Sequence, residues 1–193
     1  MSSRGGRSGL FGGGRTAVGA MVLAVALVGA MPGSACAKDA AVLLGLHFPA
    51  DVAGFAFQET TDYESRQKGL GYSAYYRQDE KWADVYVYDL TRKDIPQAYD
   101  AAASKAQYKQ AAGDIAAAAK QGIYRSAAPA GALSEPGFVC GRFAIVDKNG
   151  TANDSVLCVR TWQGKFLKVR LSGPKGSLAA GTVHRFMSAW SNP

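Results

Sequence analysis

The stretch FVCGRFAIVDKNGTANDSVLCVRTWQGKFLKVRL, residues 138–171, decides how this chain folds. It reads as three consecutive β-strands, because β-branched and aromatic runs are separated by two short polar segments, DKNGTAND (147–154) and Gln163-Gly164. Asn149-Gly150 tolerates positive φ and marks the first segment as a turn. Opposed residues of an antiparallel pair keep a constant index sum. If Cys140 faces Cys158, that sum is 298 and the hairpin is centred on Asn149, with Lys148-Asn149-Gly150 as a three-residue connection. Thr151 to Asp154 fit this tight register poorly, and a longer loop shifts the pairing. A bridge between the cysteines requires a shared face, which excludes half of the registers.

The second turn pairs Trp162 with Lys165. Val156, Cys158 and Trp162 then share a face with Leu167, Val169 and Leu171, and the opposite face carries Leu157, Val159, Phe166, Lys168 and Arg170. Apolar residues on both faces call for cover on both sides, which two helices supply. Lys168 and Arg170 read as a solvated strand end.

Working outward, Gly54–Thr61 reads as a first strand, and Tyr72–Arg77 and Trp82–Leu90 as a hairpin around Gln78-Asp79-Glu80-Lys81. In that hairpin Ala83, Val85 and Val87 form the better core face. Trp82, Asp84, Tyr86 and Tyr88 form a Tyr-rich face that a helix covers in part. Lys38–Leu46 is an Ala/Leu segment, and His47–Asp51 is expected to turn at Pro49. An Ala-rich helix is expected from Pro96 or Ala98 to Gln121, with Asp94 as N-cap and Gly122 beyond its C-terminus. Its inward stripe is read as Ala102, Ala106, Ala112, Ile115, Ala116 and Ala119. Ile123–Arg125 is a candidate short strand, and Ala127–Gly137 (AAPAGALSEPG) is expected to be a loop. Ser177–Trp190 closes the chain as a helix with Leu178, Val183, Phe186, Met187 and Trp190 at helical spacing. The expected fold is α+β: an antiparallel sheet of about six strands under a long Ala-rich helix and a C-terminal helix. No internal repeat is visible, and no second domain is expected.

The N-terminus carries a different message. Residues 1–15 are rich in Ser, Gly and Arg; Ala17–Met31 is an almost unbroken apolar run, and Ala35-Cys36-Ala37 follows. A positive start, an apolar segment of about 15 residues and a small-x-small site describe a secretory signal peptide over residues 1–37, with cleavage after Ala37 and a single domain from 38 to 193. The run is short for a retained span, which needs about 20 apolar residues. Cys36 offers a lipoprotein alternative, against which Gly33 stands where a large aliphatic residue is wanted. The expected compartment is the periplasm. In an oxidising compartment Cys140 and Cys158 are expected to form a disulfide, and no C-x-x-C is present for a thioredoxin-like site.

The formal charge of +7 includes Arg4, Arg7 and Arg15 of that segment; without them, 19 of the 22 basic residues face 15 acidic ones, a net of +4. This is ordinary solubilising charge and does not point to nucleic acid. The two histidines, His47 and His184, belong to no metal-spaced set, and His184 reads as a solvated helix residue. Nucleophile elbow, P-loop and dinucleotide-binding fingerprint are all missing. No cofactor or metal is expected.

The wording GFAFQETTDYE, GLGYSAYYR, WADVYVYDLTRKDIP and GKFLKVRLSGP resembles small exported bacterial proteins of unassigned function. The order strand, hairpin, long helix, antiparallel strands and C-terminal helix resembles the Mog1/PsbP-like α/β/α sandwich, over about Phe48–Trp190. The resemblance implies a non-enzymatic binding or assembly domain of the cell envelope, and it carries over no functional residue. The partner would be an envelope protein or a small ligand, with Tyr75, Tyr86 and Tyr88 as the candidate binding surface. The alternative is a periplasmic hydrolase or other carboxylate-based envelope enzyme, which needs a concave pocket with two convergent acids.

Overall fold

The computed structural model describes residues 39–193. The expected signal peptide, Cys36 included, lies outside the described residues. Among the described residues no helix is long and apolar enough to cross a membrane.

The fold is α+β, with ten strands and two helices among the described residues. A small hairpin of β1 (Asp39–Leu43) and β2 (Leu46–Pro49) precedes the main sheet. The main sheet has eight strands: β3 (Asp51–Val52), β4 (Phe55–Asp62), β5 (Tyr72–Gln78), β6 (Lys81–Tyr88), β7 (Ser126–Leu133), β8 (Val139–Val146), β9 (Ala152–Trp162) and β10 (Lys165–Pro174). Their order is β3-β4-β5-β6-β10-β9-β8-β7, and every pairing is antiparallel. Helix α1 (Ala101–Lys120) connects β6 to β7, and α2 (Ala180–Ser188) follows β10.

Of the registers the sequence leaves open, the observed one sets the two cysteines opposite each other. Cys140 pairs with Cys158, and Asp147 N–H donates to Thr151 O, leaving Lys148-Asn149-Gly150 as the connection with Gly150 at φ 88°. Thr151 to Asp154 are absorbed because Asp147 Oδ1 accepts from the N–H groups of Asn149 and Thr151, and β9 begins directly afterwards. Cys140 and Cys158 are joined in a disulfide, with Cα atoms 4.2 Å apart. The second turn pairs Trp162 with Lys165 across Gln163 and Gly164, both at positive φ.

Because side chains alternate, the sheet supports a core on each face. One holds Ala83, Val85, Val87, Cys158, Val169 and Leu171 against Val183, Phe186, Met187 and Trp190 of α2 and its flank, with Leu46 and Phe48 of the first hairpin. The other holds Tyr88, Phe143, Ile145, Leu157, Val159 and Phe166 against Ala111 and Ile115 of α1.

The structure corrects several expectations. The main sheet is wider than six strands because β3 and β7 add to its two edges, and the stretch up to Asp51, read as an Ala/Leu segment and a turn, instead forms the separate β1–β2 hairpin and starts β3. Ala127–Gly137 is not a loop: β7 occupies most of it, and the candidate strand at 123–125 begins instead at Ser126. Pro129 is tolerated there because β7 is an edge strand, and the register slips between Pro129 and Ala132. Helix α1 starts later than expected and is capped by Asp100, whose side chain accepts from Ala103 N–H at 2.7 Å. Asp94 instead pairs with Arg92 at 2.8 Å. The inward face of α1 is Ser104, Gln107, Ala111 and Ile115; of the expected stripe only Ile115 is buried, while Ala102, Ala106 and Ala116 are exposed. Polar anchoring explains that rotation: Thr161 Oγ1 accepts from Asp100 N–H and donates to Ala98 O, and Ser104 Oγ accepts from Thr161 N–H. The C-terminal helix is shorter than expected, but all five of its expected core residues are buried.

Candidate ligand cleft beneath the long helix

Helix α1 leaves part of its sheet face open, where Ala111 is the inward residue after Gln107. What remains is a cleft of about 410 Å³ between the helix and strands β6 and β10. Its wall is built from Tyr86 and Tyr88 of β6, Lys168 of β10, Gln107 and Asp114 of α1, and Tyr63 from the segment after β4. Two smaller hollows continue it along the same face. One of about 130 Å³ shares Tyr86, Asp114 and Lys168, and one of about 300 Å³ begins at Tyr124 and Arg170 and reaches Asp84 and Ser155.

The arrangement follows from sheet register. Lys168 stands opposite Tyr86, Arg170 opposite Asp84, and Phe166 opposite Tyr88. Lys168 was expected at a solvated strand end, but β10 lies between β6 and β9, so its side chain is half-buried. Its Nζ sits 3.9 Å from the centroid of the Tyr86 ring and 5.6 Å from that of Tyr88. Burial pushes the Lys168 amine down to about 8; Asp114 and Asp84 oppose the shift and Arg170 reinforces it. Burial also raises the Asp84 carboxyl, against the pull of Arg170 and Lys168. Arg170 is held by a hydrogen bond from Nε to Ser155 Oγ at 3.2 Å and lies over the Tyr124 ring.

The three candidate tyrosines fare differently. Tyr86 is half-buried and Tyr88 is buried, its hydroxyl accepting from Gln107 Nε2 at 3.2 Å; both line the cleft. Burial raises both phenols well above the ordinary tyrosine value. Tyr75 stands opposite Asp84 on the same face, half-buried, and is not among the residues lining the main cleft. Cys140 and Cys158 lie on the other face of the sheet, so their bridge acts on the frame and not on the cleft.

Sequence reasoning missed Tyr63, Gln107, Asp114 and Lys168. Tyr63 is placed by a loop that closes on itself. Glu64 accepts from the N–H groups of Gly69 and Gly71, and Tyr63 N–H donates to Gly71 O. Gly71 has φ 64°, and a Cβ there would lie 2.0 Å from Val87 O, so no other residue permits this approach. Tyr63 then reaches Tyr86, ring centroids 6.2 Å apart. The backbone bonds from Gly69 and Gly71 hold the Glu64 carboxyl below its ordinary 4.5. The loop therefore gains from this carboxylate in full above that value and loses the gain as pH falls through the lowered one. In an NMR pH titration the Gly69 and Gly71 amide resonances should move together with a midpoint below 4.5. Invariant shifts, or a midpoint above that value, would contradict the assignment.

His184, expected to be solvated, has an exposed ring whose Nδ1 lies 3.0 Å from the buried Glu135 carboxylate. Among the described residues no group of three His, Cys, Asp or Glu side chains is placed to hold a metal ion.

No family model, no curated protein and no solved structure matches this chain. The cleft must therefore be interpreted from its own chemistry. It offers three tyrosine rings, one amine, amide groups and one carboxylate around a volume in the range of small-molecule sites.

Proposed function

We propose that this protein is an exported binding domain of the cell envelope that takes a small, flat organic ligand into the cleft between α1 and the sheet. The observation that carries this reading is the cleft itself: a concave space of about 410 Å³ lined by Tyr63, Tyr86 and Tyr88 around Lys168. Concavity of this size suits a small ligand better than a protein surface. Export is supported by the disulfide, which persists in oxidising compartments, together with the signal-like first 37 residues. A sheet with a helix on each face is also what the Mog1/PsbP-like resemblance implies, and we retain that relationship as part of the proposal.

The enzymatic alternative draws on Asp84 and Asp147, which line the same outer hollow. Asp147 is already engaged by two backbone N–H groups of the hairpin turn, which favours binding over carboxylate catalysis. A thermal-shift screen of small aromatic compounds tests the reading. Compounds that stabilise the wild type should bind Tyr86→Ala about tenfold more weakly, the scale of one lost aromatic contact. Hits that stabilise the variant equally would place binding elsewhere and overturn the proposal.

A further inference from the structure

Among the described residues Lys168 is the only amine that lines the main cleft, and no carboxylate lies within 4.0 Å of its Nζ. Its ammonium has no direct ion-pair partner there, and the group it touches is a ring face. We propose that Lys168 Nζ is a nucleophilic amine that captures a small aromatic aldehyde in this cleft as an imine. The inference rests on the ligand-cleft reading and names the chemical class of the ligand.

The groups for that chemistry are present. The neutral amine attacks the carbonyl carbon, forming a C–N bond, and the proton shed by nitrogen passes to the carbonyl oxygen to give a carbinolamine. The carbinolamine hydroxyl then takes up a second proton and leaves as water while the nitrogen lone pair forms the C=N bond. No oxidant or reductant is consumed. Asp114 lines the same cleft and is, among the described residues, its one carboxylate available for proton transfer, and Gln107, whose Nε2 donates to the Tyr88 hydroxyl, keeps its amide oxygen for a polar ring substituent. The ring face of Tyr86, which holds the ammonium, holds the protonated imine by the same attraction. Tyr63, Tyr86 and Tyr88 supply flat surfaces for an aromatic ligand, whereas an aliphatic aldehyde would leave them unused.

Ionisation supports the geometry. The groups facing Lys168 are Asp114 from α1, Asp84, Tyr86 and Tyr88 from β6, and Arg170 from its own strand. With the amine near 8, a useful fraction is neutral close to neutral pH, unlike an exposed lysine at about 10.4.

The experiment exposes the protein, expressed as the full chain, to 4-hydroxybenzaldehyde with borohydride and maps every lysine by peptide mass spectrometry. Lys168 should be modified about tenfold faster than exposed lysines such as Lys105 and Lys175, with a rate that rises through a midpoint near 8. Lys168→Arg should lose the fast modification and leave the slow ones unchanged. Labelling of Lys168 no faster than the exposed lysines overturns the proposal. A second arm follows binding of 4-hydroxybenzyl alcohol, which has no carbonyl, by shifts of the Tyr86 ring resonances. If the alcohol binds and Lys168 is not trapped, the imine is wrong and the cleft reading stands. If neither occurs, both fail for this ligand class.

Discussion

Phe186→Ala is expected to destabilise the domain by about 3–5 kcal/mol, the range for removing a buried phenylalanine from a packed core. Helix α2 has nine residues and no side-chain N-cap, so it is far too short to persist alone. Burial holds it. The Phe186 ring is fully buried and meets Phe55 at 5.0 Å, Tyr76 at 6.0 Å and Trp190 at 6.3 Å. Alanine removes all three ring contacts and leaves a hole that the stiff sheet beneath cannot close. Urea denaturation should show a lower midpoint with little change in slope. A loss below about 1 kcal/mol would mean that α2 packs by some other side chain.

The second large effect belongs to the disulfide. Cys140 and Cys158 are 18 residues apart, and closing a loop of that size is worth about 3 kcal/mol in the chain-entropy model. Here the bridge joins residues already opposed in the β8–β9 ladder, and part of that entropy is lost through strand pairing anyway. Cys140→Ala with Cys158→Ala should therefore cost about 2 kcal/mol by denaturation. The cleft should survive the change, since it lies on the other face. Two reactive thiols in freshly purified, unreduced protein would show that the bridge does not form, and equal stability of the variant would show that it contributes nothing.

The parts of this fold that were legible in the sequence are those where one local feature leaves a single geometry. Asn149-Gly150 and Gln163-Gly164 set two turns, and alternation then assigned Val156, Cys158, Leu167 and Val169 to one face and Leu157, Val159 and Phe166 to the other. The five apolar residues from Leu178 to Trp190 were equally plain. Three features were hidden for physical reasons. Leu44 takes a positive φ of 52° beside Gly45 in the first hairpin turn, a conformation a leucine does not announce. Pro129 and Gly131 read as loop residues, and only the edge position of β7 permits them. Alanine on every side of α1 gives no contrast by which to choose a buried stripe, so Ser104 and Gln107 decide it through hydrogen bonds made by Thr161 and Tyr88.

The site was half legible. Tyr86 and Tyr88 are on the cleft wall because period-two alternation places them on the face that α1 covers. Lys168 was misread because sequence spacing does not tell a central strand from an edge one. Only the crossover that inserts β10 between β6 and β9 takes its stem out of water. Tyr63 depends on a loop whose closure needs Glu64 and Gly71 together.

A binding domain of the kind proposed carries a small molecule in the cleft beneath α1 in the cell. Native mass spectrometry of the protein recovered from the cells that make it measures this directly. The wild type should carry a small organic mass that Tyr86→Ala, still folded and disulfide-bonded, has lost. Wild-type protein with no bound small molecule, or a ligand that Tyr86→Ala retains, would contradict it.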